Sequence, residues 1–148
     1  MSDGMGSWIL RWRVPEQPVE RATVNDPIGL ERLLNRLGLS VAATGVPLQI
    51  EMMREPRRSH EPLLVQFVVG DRARSSMLWH TDGQSFSAVE TEAEFPAASL
   101  GFASLAGGDA VEPEQARLRP ETLRELLLEM VCTGTRPSNV EWHEAPMD

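Results

Sequence analysis

Residues 120–142 read PETLRELLLEMVCTGTRPSNVEW. Pro120 suits the first helical position, because its missing N–H is one that a helix start leaves unbonded anyway. Leu123, Leu126, Leu127, Met130 and Val131 then recur at i, i+3, i+4, i+7 and i+8, which gathers them on one face of a helix. Burying five such side chains contributes about 1.5–3 kcal/mol each before the entropy of ordering is subtracted. Gly134 supplies the stop, and Pro137 forbids continuation. The Arg136-Pro137 step holds the chain extended, and Val140 and Trp142 alternate as in a short strand. Chain ends fray unless tied down, so a tryptophan here implies a strand docked on a sheet. Cys132, at the end of the apolar face, reads as packing.

Working back from this helix, SSMLWH and QSFSAVE flank Thr81, Asp82 and Gly83. Asp-Gly accepts the positive φ of a tight hairpin, so these two strands are antiparallel. VPLQIEMM and PLLVQFVV are further strands, and SWILRWRV places Trp8, Leu10, Trp12 and Val14 on one side of an extended chain with Arg11 and Arg13 on the other. In NDPIGLERLLNRLGL, Asn25 or Asp26 can cap a first helix, Pro27 opens it, Leu30, Leu33, Leu34 and Leu37 face the sheet, and Gly38 is the expected stop. Between Glu90 and Leu118 the pattern is weak; short strands are expected at 100–104 and 111–116, with Gly107 and Gly108 as the turn. The expected fold is α+β: an antiparallel, meander-like sheet of about six to eight strands with two helices packed on it. A chain of 148 residues without a linker or repeat is expected to form one domain over 1–148.

All 14 basic residues are arginine, which removes P-loop and lysine Schiff-base chemistry. Residues 1–84 hold ten acids and ten arginines, whereas 85–148 hold twelve acids against Arg117, Arg119, Arg124 and Arg136. The net charge of −8 therefore lies in the C-terminal part. Such a surface repels nucleic-acid phosphates and attracts a basic partner. Acidity also serves solubility alone, and that reading stands beside the first. The absence of a long apolar run argues against a membrane span. The opening MSDGMGSWILRW is unlike a secretory signal, since an acid precedes any base, and the expected location is the cytoplasm.

Tests for chemistry return little. Cys132 is the single cysteine, so neither a disulfide nor a paired-cysteine zinc site can form within the chain. His60, His80 and His143 lack the spacing of metal ligands, and no cofactor motif appears. His60-Glu61 lacks the cysteine half of a zinc deaminase signature. His80-Thr81-Asp82 could feed a hydrolase triad with a nearby serine, but the nucleophile elbow is missing and Asp82 fits the turn. Arg54, Arg57 and Arg58 form one basic loop and Arg72 and Arg74 another, on connections that need not meet. Trp8, Trp12, Trp79 and Trp142 read as core in preference to stacking platforms. More distinctive are Glu121, Glu125 and Glu129, spaced by four along one edge of the second helix with only Arg124 near enough to pair. Glu90, Glu92, Glu94, Asp109, Glu112 and Glu114 enrich the preceding stretch. These carboxylates are either a solvated face or a docking surface.

The C-terminal half, FPAASLGFASL followed by EPEQARLRPETLRELLLEMVCTGTRPSNVEW, resembles immunity protein family one of bacterial polymorphic toxin systems. The likeness rests on a helix running into T-G-x-R-P and then V-x-W, here Thr133, Gly134, Arg136, Pro137, Val140 and Trp142, preceded by VEPE. Element order fits over most of the chain, and specific matches occupy the last 30 or so residues. The resemblance implies an α+β protein that binds and neutralises a cognate toxin, often one with a nucleic-acid deaminase domain. It implies a scaffolding role for Gly134, Arg136, Pro137, Val140 and Trp142, and toxin contacts among Glu92, Glu94, Asp109, Glu112, Glu114, Glu121, Glu125 and Glu129. No catalytic residue, metal or cofactor is expected. A non-catalytic adaptor or secretion chaperone for a protein client shares these features, and a small enzyme using His80 is a third reading.

Overall fold

Alternation decides which way each strand faces, and it buries one whole face of this sheet and part of the other. The computed structural model describes residues 7–56, 62 and 64–145. Its elements are β1 (Ser7–Trp12), β2 (Glu20–Val24), α1 (Pro27–Thr44), β3 (Leu48–Glu55), β4 (Leu64–Val69), β5 (Ser76–Thr81), β6 (Gln84–Val89), β7 (Leu100–Ser104), β8 (Gly107–Val111), a 3-10 turn (Pro113–Gln115), α2 (Pro120–Thr133) and β9 (Glu141–Glu144). Of the nine strands in the sheet, seven run in the order β2-β1-β3-β4-β5-β6-β9, each pair antiparallel. β7 joins β3 through the single parallel pairing Leu48↔Ala103 and carries β8 as a hairpin. The fold is thus α+β with an open, meander-like sheet and both helices on one side.

On the helix side, Trp8, Leu10, Trp12, Ile50, Met52, Val65, Phe67, Met77 and Trp79 meet the apolar faces of α1 and α2 in one cluster. The opposite face of β4 and β5 presents Val68 and Leu78, which the β7–β8 hairpin covers with Leu100, Phe102 and Val111. No helix among the described residues is long and apolar enough to cross a membrane.

Four local expectations change. The stop of α1 is Gly45, not Gly38: Gly45 takes φ 73° and its N–H reaches the Val41 carbonyl at 2.6 Å. Gly38 lies mid-helix over open space, and the burial of Leu37 and Val41 carries the helix past it. β2, ERATV, is a strand beyond those expected; at the edge of the sheet it buries only Val24, so its alternation is faint. Gly107 and Gly108 begin β8, the turn being Leu105-Ala106, and the expected strand over 111–116 ends at Val111 where the 3-10 turn follows. Cys132 is exposed, because it follows Val131 by one residue and so rotates off the apolar stripe.

Gly70 has a tertiary reason to be glycine. It sits at φ 110°, and a Cβ there would lie 2.5 Å from Val41 Cγ1. Gly70→Ala should therefore cost more than about 2 kcal/mol, while Gly38→Ala should gain about 0.5–1 kcal/mol by restricting the unfolded chain. Equilibrium urea unfolding reads both. A Gly70→Ala protein as stable as its parent would refute the close seating of Val41 on that turn.

Candidate docking surface

The C-terminal stretch is a staple. Gly134, at φ 76°, ends α2 with its N–H on the Met130 carbonyl at 2.7 Å. The Thr133 hydroxyl donates to the Glu129 carbonyl (3.0 Å) and accepts from the Thr135 N–H (3.2 Å), which tightens the exit. The Arg136 guanidinium then lies 5.1 Å from the Phe86 ring centre and 5.2 Å from that of Trp142. Trp142 donates its indole N–H to the Pro137 carbonyl at 2.8 Å and meets Trp79 edge-on at 5.9 Å. These contacts hold β9 against β6, with Val140 packed on the main core.

The staple also fixes one wall of an acidic groove. Glu92 and Ala93, from the segment between β6 and β7, line a groove of about 640 Å³ with Arg119, just before α2, with Thr122 and Glu125 of α2, and with Ser138–Glu141. Ala93 and Glu94 line a second groove of about 420 Å³ with Pro113, Glu114 and Arg117. Segment 92–94 is thus a ridge between two grooves, bringing Glu92 together with Glu125 and Glu141, and Glu94 with Glu114. Glu141 carries no sequence-level distinction except its register: between the inward Val140 and Trp142, it must point away from the core.

The other carboxylates singled out in the sequence lie apart. Asp109 is exposed on β8 and accepts from the Ala110 N–H at 2.8 Å, and Glu112 is exposed just beyond that strand. Glu121 lines a smaller cleft of about 290 Å³ facing Leu34 of α1 and Gly70, and Glu129 is half-buried a turn beyond Glu125. Arg124 does not pair with this row; it reaches across to Glu31 (3.7 Å) and Asn35 (3.3 Å) of α1.

His80 belongs to a polar ladder on the sheet face away from the helices. Its Nδ1 is 2.6 Å from Ser85 Oγ and its Nε2 2.8 Å from Gln66 Oε1. The Gln66 amide donates to Glu51 at 3.1 Å, and Arg11 donates to the same carboxylate at 3.0 Å. Burial lowers the His80 pKa, against the opposing pull of the Glu51 charge. Both imidazole nitrogens are engaged without Asp82, which stays in the hairpin turn, and Ser85 exposes only 4% of its surface. A hydroxyl so enclosed does not meet a substrate carbonyl in this conformation.

Of the basic loops, Arg54 is buried against Trp8, 5.2 Å from its ring centre, and Arg74 is buried as well, whereas Arg72 is exposed. Arg57, Arg58, His60 and Glu61 lie outside the described residues. Trp8, Trp12 and Trp79 are core. Among the described residues, no three His, Cys, Asp or Glu side chains are grouped to hold a metal ion.

A family model described as immunity protein Imm1 matches residues 19–144, from the residue before β2 to the end of β9. No curated protein sequence matches the chain.

Beneath the first groove, Glu90 fixes the start of α2. Arg119 donates to it from its main-chain N–H (2.6 Å), Nε (2.9 Å) and Nη2 (2.7 Å). Glu90 thereby sets a carboxylate at the start of α2, fixing the cap residue Arg119, whose own side chain makes no capping bond. Burial alone would raise the Glu90 pKa, but hydrogen bonds from Arg119 and Thr122, together with the Arg119 charge, outweigh it and hold the carboxyl below its ordinary value. A depressed carboxyl pKa stabilises the fold above the unfolded value near 4.5, and that contribution is lost as pH falls through the native value. Glu90→Gln should therefore be less stable than the parent at neutral pH and lose stability less steeply between about pH 5 and pH 3. Urea midpoints measured across that range test it, and parallel profiles would show that this pair carries none of the acid sensitivity.

Proposed function

The chain belongs to the Imm1 family of immunity proteins, and on that premise we propose that it binds a cognate polymorphic toxin and neutralises it by covering the toxin's substrate cleft with the acidic ridge and grooves around Glu92, Glu94, Glu114, Glu125 and Glu141. It performs no bond-making itself. The observation that carries this reading is the convergence of carboxylates from four separate segments on one surface, in a chain whose net charge is −8. Among the described residues, none of these side chains except Glu141, which meets His143 at 3.0 Å, is in an ion pair. Of the local arginines, Arg119 pairs with Glu90, Arg124 reaches α1 and Arg136 lies between two rings, whereas Arg117 lines the second groove beside Glu94 and Glu114 and offsets part of their charge.

A toxin that handles nucleic acid needs a basic groove for phosphates, and a folded acidic surface fills such a groove by charge complementarity. A nucleic-acid deaminase domain is one toxin of this kind. The protein acts where the toxin would otherwise harm its producer, in the cytoplasm, and its own charge keeps it off nucleic acid. Asp109, Glu112, Glu121 and Glu129 lie outside the centre of this surface and contribute at most through the long-range field.

Co-expression with a candidate toxin from a neighbouring gene should yield a stable complex and protect the cell; neither complex nor protection would remove this function. A complex in which the toxin stays active would instead favour an adaptor or secretion chaperone. Within the complex, Glu92→Arg with Glu125→Arg should slow association at low salt by about tenfold or more and flatten its salt dependence, with a cost of about 2 kcal/mol for any carboxylate desolvated at the centre. Glu129→Arg should change association far less. Equal effects at all three positions, read by stopped-flow mixing, would displace the docking centre from the ridge.

A further inference from the structure

The ridge rides on ten residues, Glu90 to Ser99, that contain neither helix nor strand. A connection of that length is ordinarily free to sample many shapes. Here both ends are held by arginines. Arg119 grips Glu90 at the near end. At the far end Arg74, only 5% exposed, donates from Nη1 to the carbonyls of Pro96 (3.1 Å) and Ala98 and from Nη2 to the carbonyl of Ser99 (3.0 Å). The backbone of Arg74 is itself fixed, because Asp71 Oδ1 accepts from the N–H groups of Ala73 (2.9 Å) and Arg74 (3.2 Å).

A guanidinium is costly to bury unless its N–H groups are met, and here three main-chain carbonyls meet it. Those carbonyls converge only if the backbone of 96–99 keeps one conformation. A lysine ammonium, a single point of charge on a flexible stem, does not span them in the same plane.

We propose that Arg74 is a positioning residue for the toxin-docking surface: it holds segment 91–95 in its presented shape before the toxin arrives, so that binding need not order it. This rests on the docking reading above. Arg74 itself is buried beneath the loop and touches no partner. Preorganisation of this kind acts mainly on residence time, since an ordered loop lets contacts form together and break together. Charge alone predicts the reverse. Removing a cation makes the surface more negative and should tighten its hold on a basic partner.

The test uses the full chain and the toxin domain that the co-expression experiment identifies as its partner, catalytically inactivated. In Arg74→Met, the amides of 92–99 should lose hydrogen-exchange protection while those of β4 and α2 keep theirs, and the toxin should dissociate about tenfold faster or more. Millimolar methylguanidinium should restore protection and residence time, and methylammonium should not. Should Arg74→Met fail to fold, Arg74→Lys, which keeps the charge and loses the fork, is subject to the same measurements. A variant with native loop protection, or one whose loop is unprotected yet binds as tightly as the parent, overturns the inference. If the double variant Glu92→Arg, Glu94→Arg binds like the parent, the docking reading falls and the role of Arg74 falls with it. If that double variant loses binding while Arg74→Met does not, only the positioning role falls.

Discussion

The central strands of this sheet are apolar along the whole helix side and, at Val68 and Leu78, on part of the other side too, and both apolar surfaces must be covered. Val65, Phe67, Met77 and Trp79 point to the helices, while Val68 and Leu78 on the same two strands point the other way. A single layer of helices satisfies only the first set. After β6 the chain therefore crosses to the far side, lays down the β7–β8 hairpin over Val68 and Leu78, and returns to the helix side as α2. The crossing is the ten-residue segment that carries Glu92 and Glu94, and the return passes through Glu114 and Arg117. The acidic ridge and its two grooves are thus where the chain wraps the sheet to bury both of its apolar surfaces.

That origin explains how arginine is used. An irregular crossing has main-chain groups that no ladder satisfies. Arg74 meets three of its carbonyls, Arg119 closes on Glu90, and short bridges at Ser75↔Leu118 and Val89↔Arg117 tie the return path to β5 and β6. Arg136 spends its charge against two aromatic rings to seat β9. Arg119 and Arg136 stay at the surface, but carboxylates outnumber arginines along both grooves. Local negative charge is in this sense a by-product of how the crossing and the C-terminal staple are held.

The polar ladder from Arg11 through Glu51, Gln66 and His80 to Ser85 shows the contrasting case. It lies on regular strands, its groups answer one another across the register, and burial keeps His80 from gaining a proton readily. A histidine beside a serine resembles machinery in a linear reading of the chain. In three dimensions its nitrogens are already spoken for and the serine is enclosed, so the pair reads as a cross-strand lock.

The sequence by itself determined the elements whose pattern is local: the paired apolar faces of α1 and α2, the Asp82-Gly83 hairpin, the alternation of β1, and the helix-stop-strand order of residues 120–142. These are legible because periodicity and turn chemistry are properties of consecutive residues. It did not determine that Gly45 rather than Gly38 ends α1, since burial of Val41 decides that, nor that the edge strand β2 exists, since its partner β1 supplies most of its order. Nor could it sort the carboxylates. Glu121, Glu125 and Glu129 look equivalent at four-residue spacing, yet the packing of α1 beside α2 turns Glu121 toward one cleft while the crossing chain brings Glu92 to Glu125. Glu141, unremarked in the linear chain, joins them only because Arg136 and Trp142 seat β9 beside β6. Convergence of side chains from distant segments is set by topology and by which buried groups need partners, and neither is written in the spacing of neighbours.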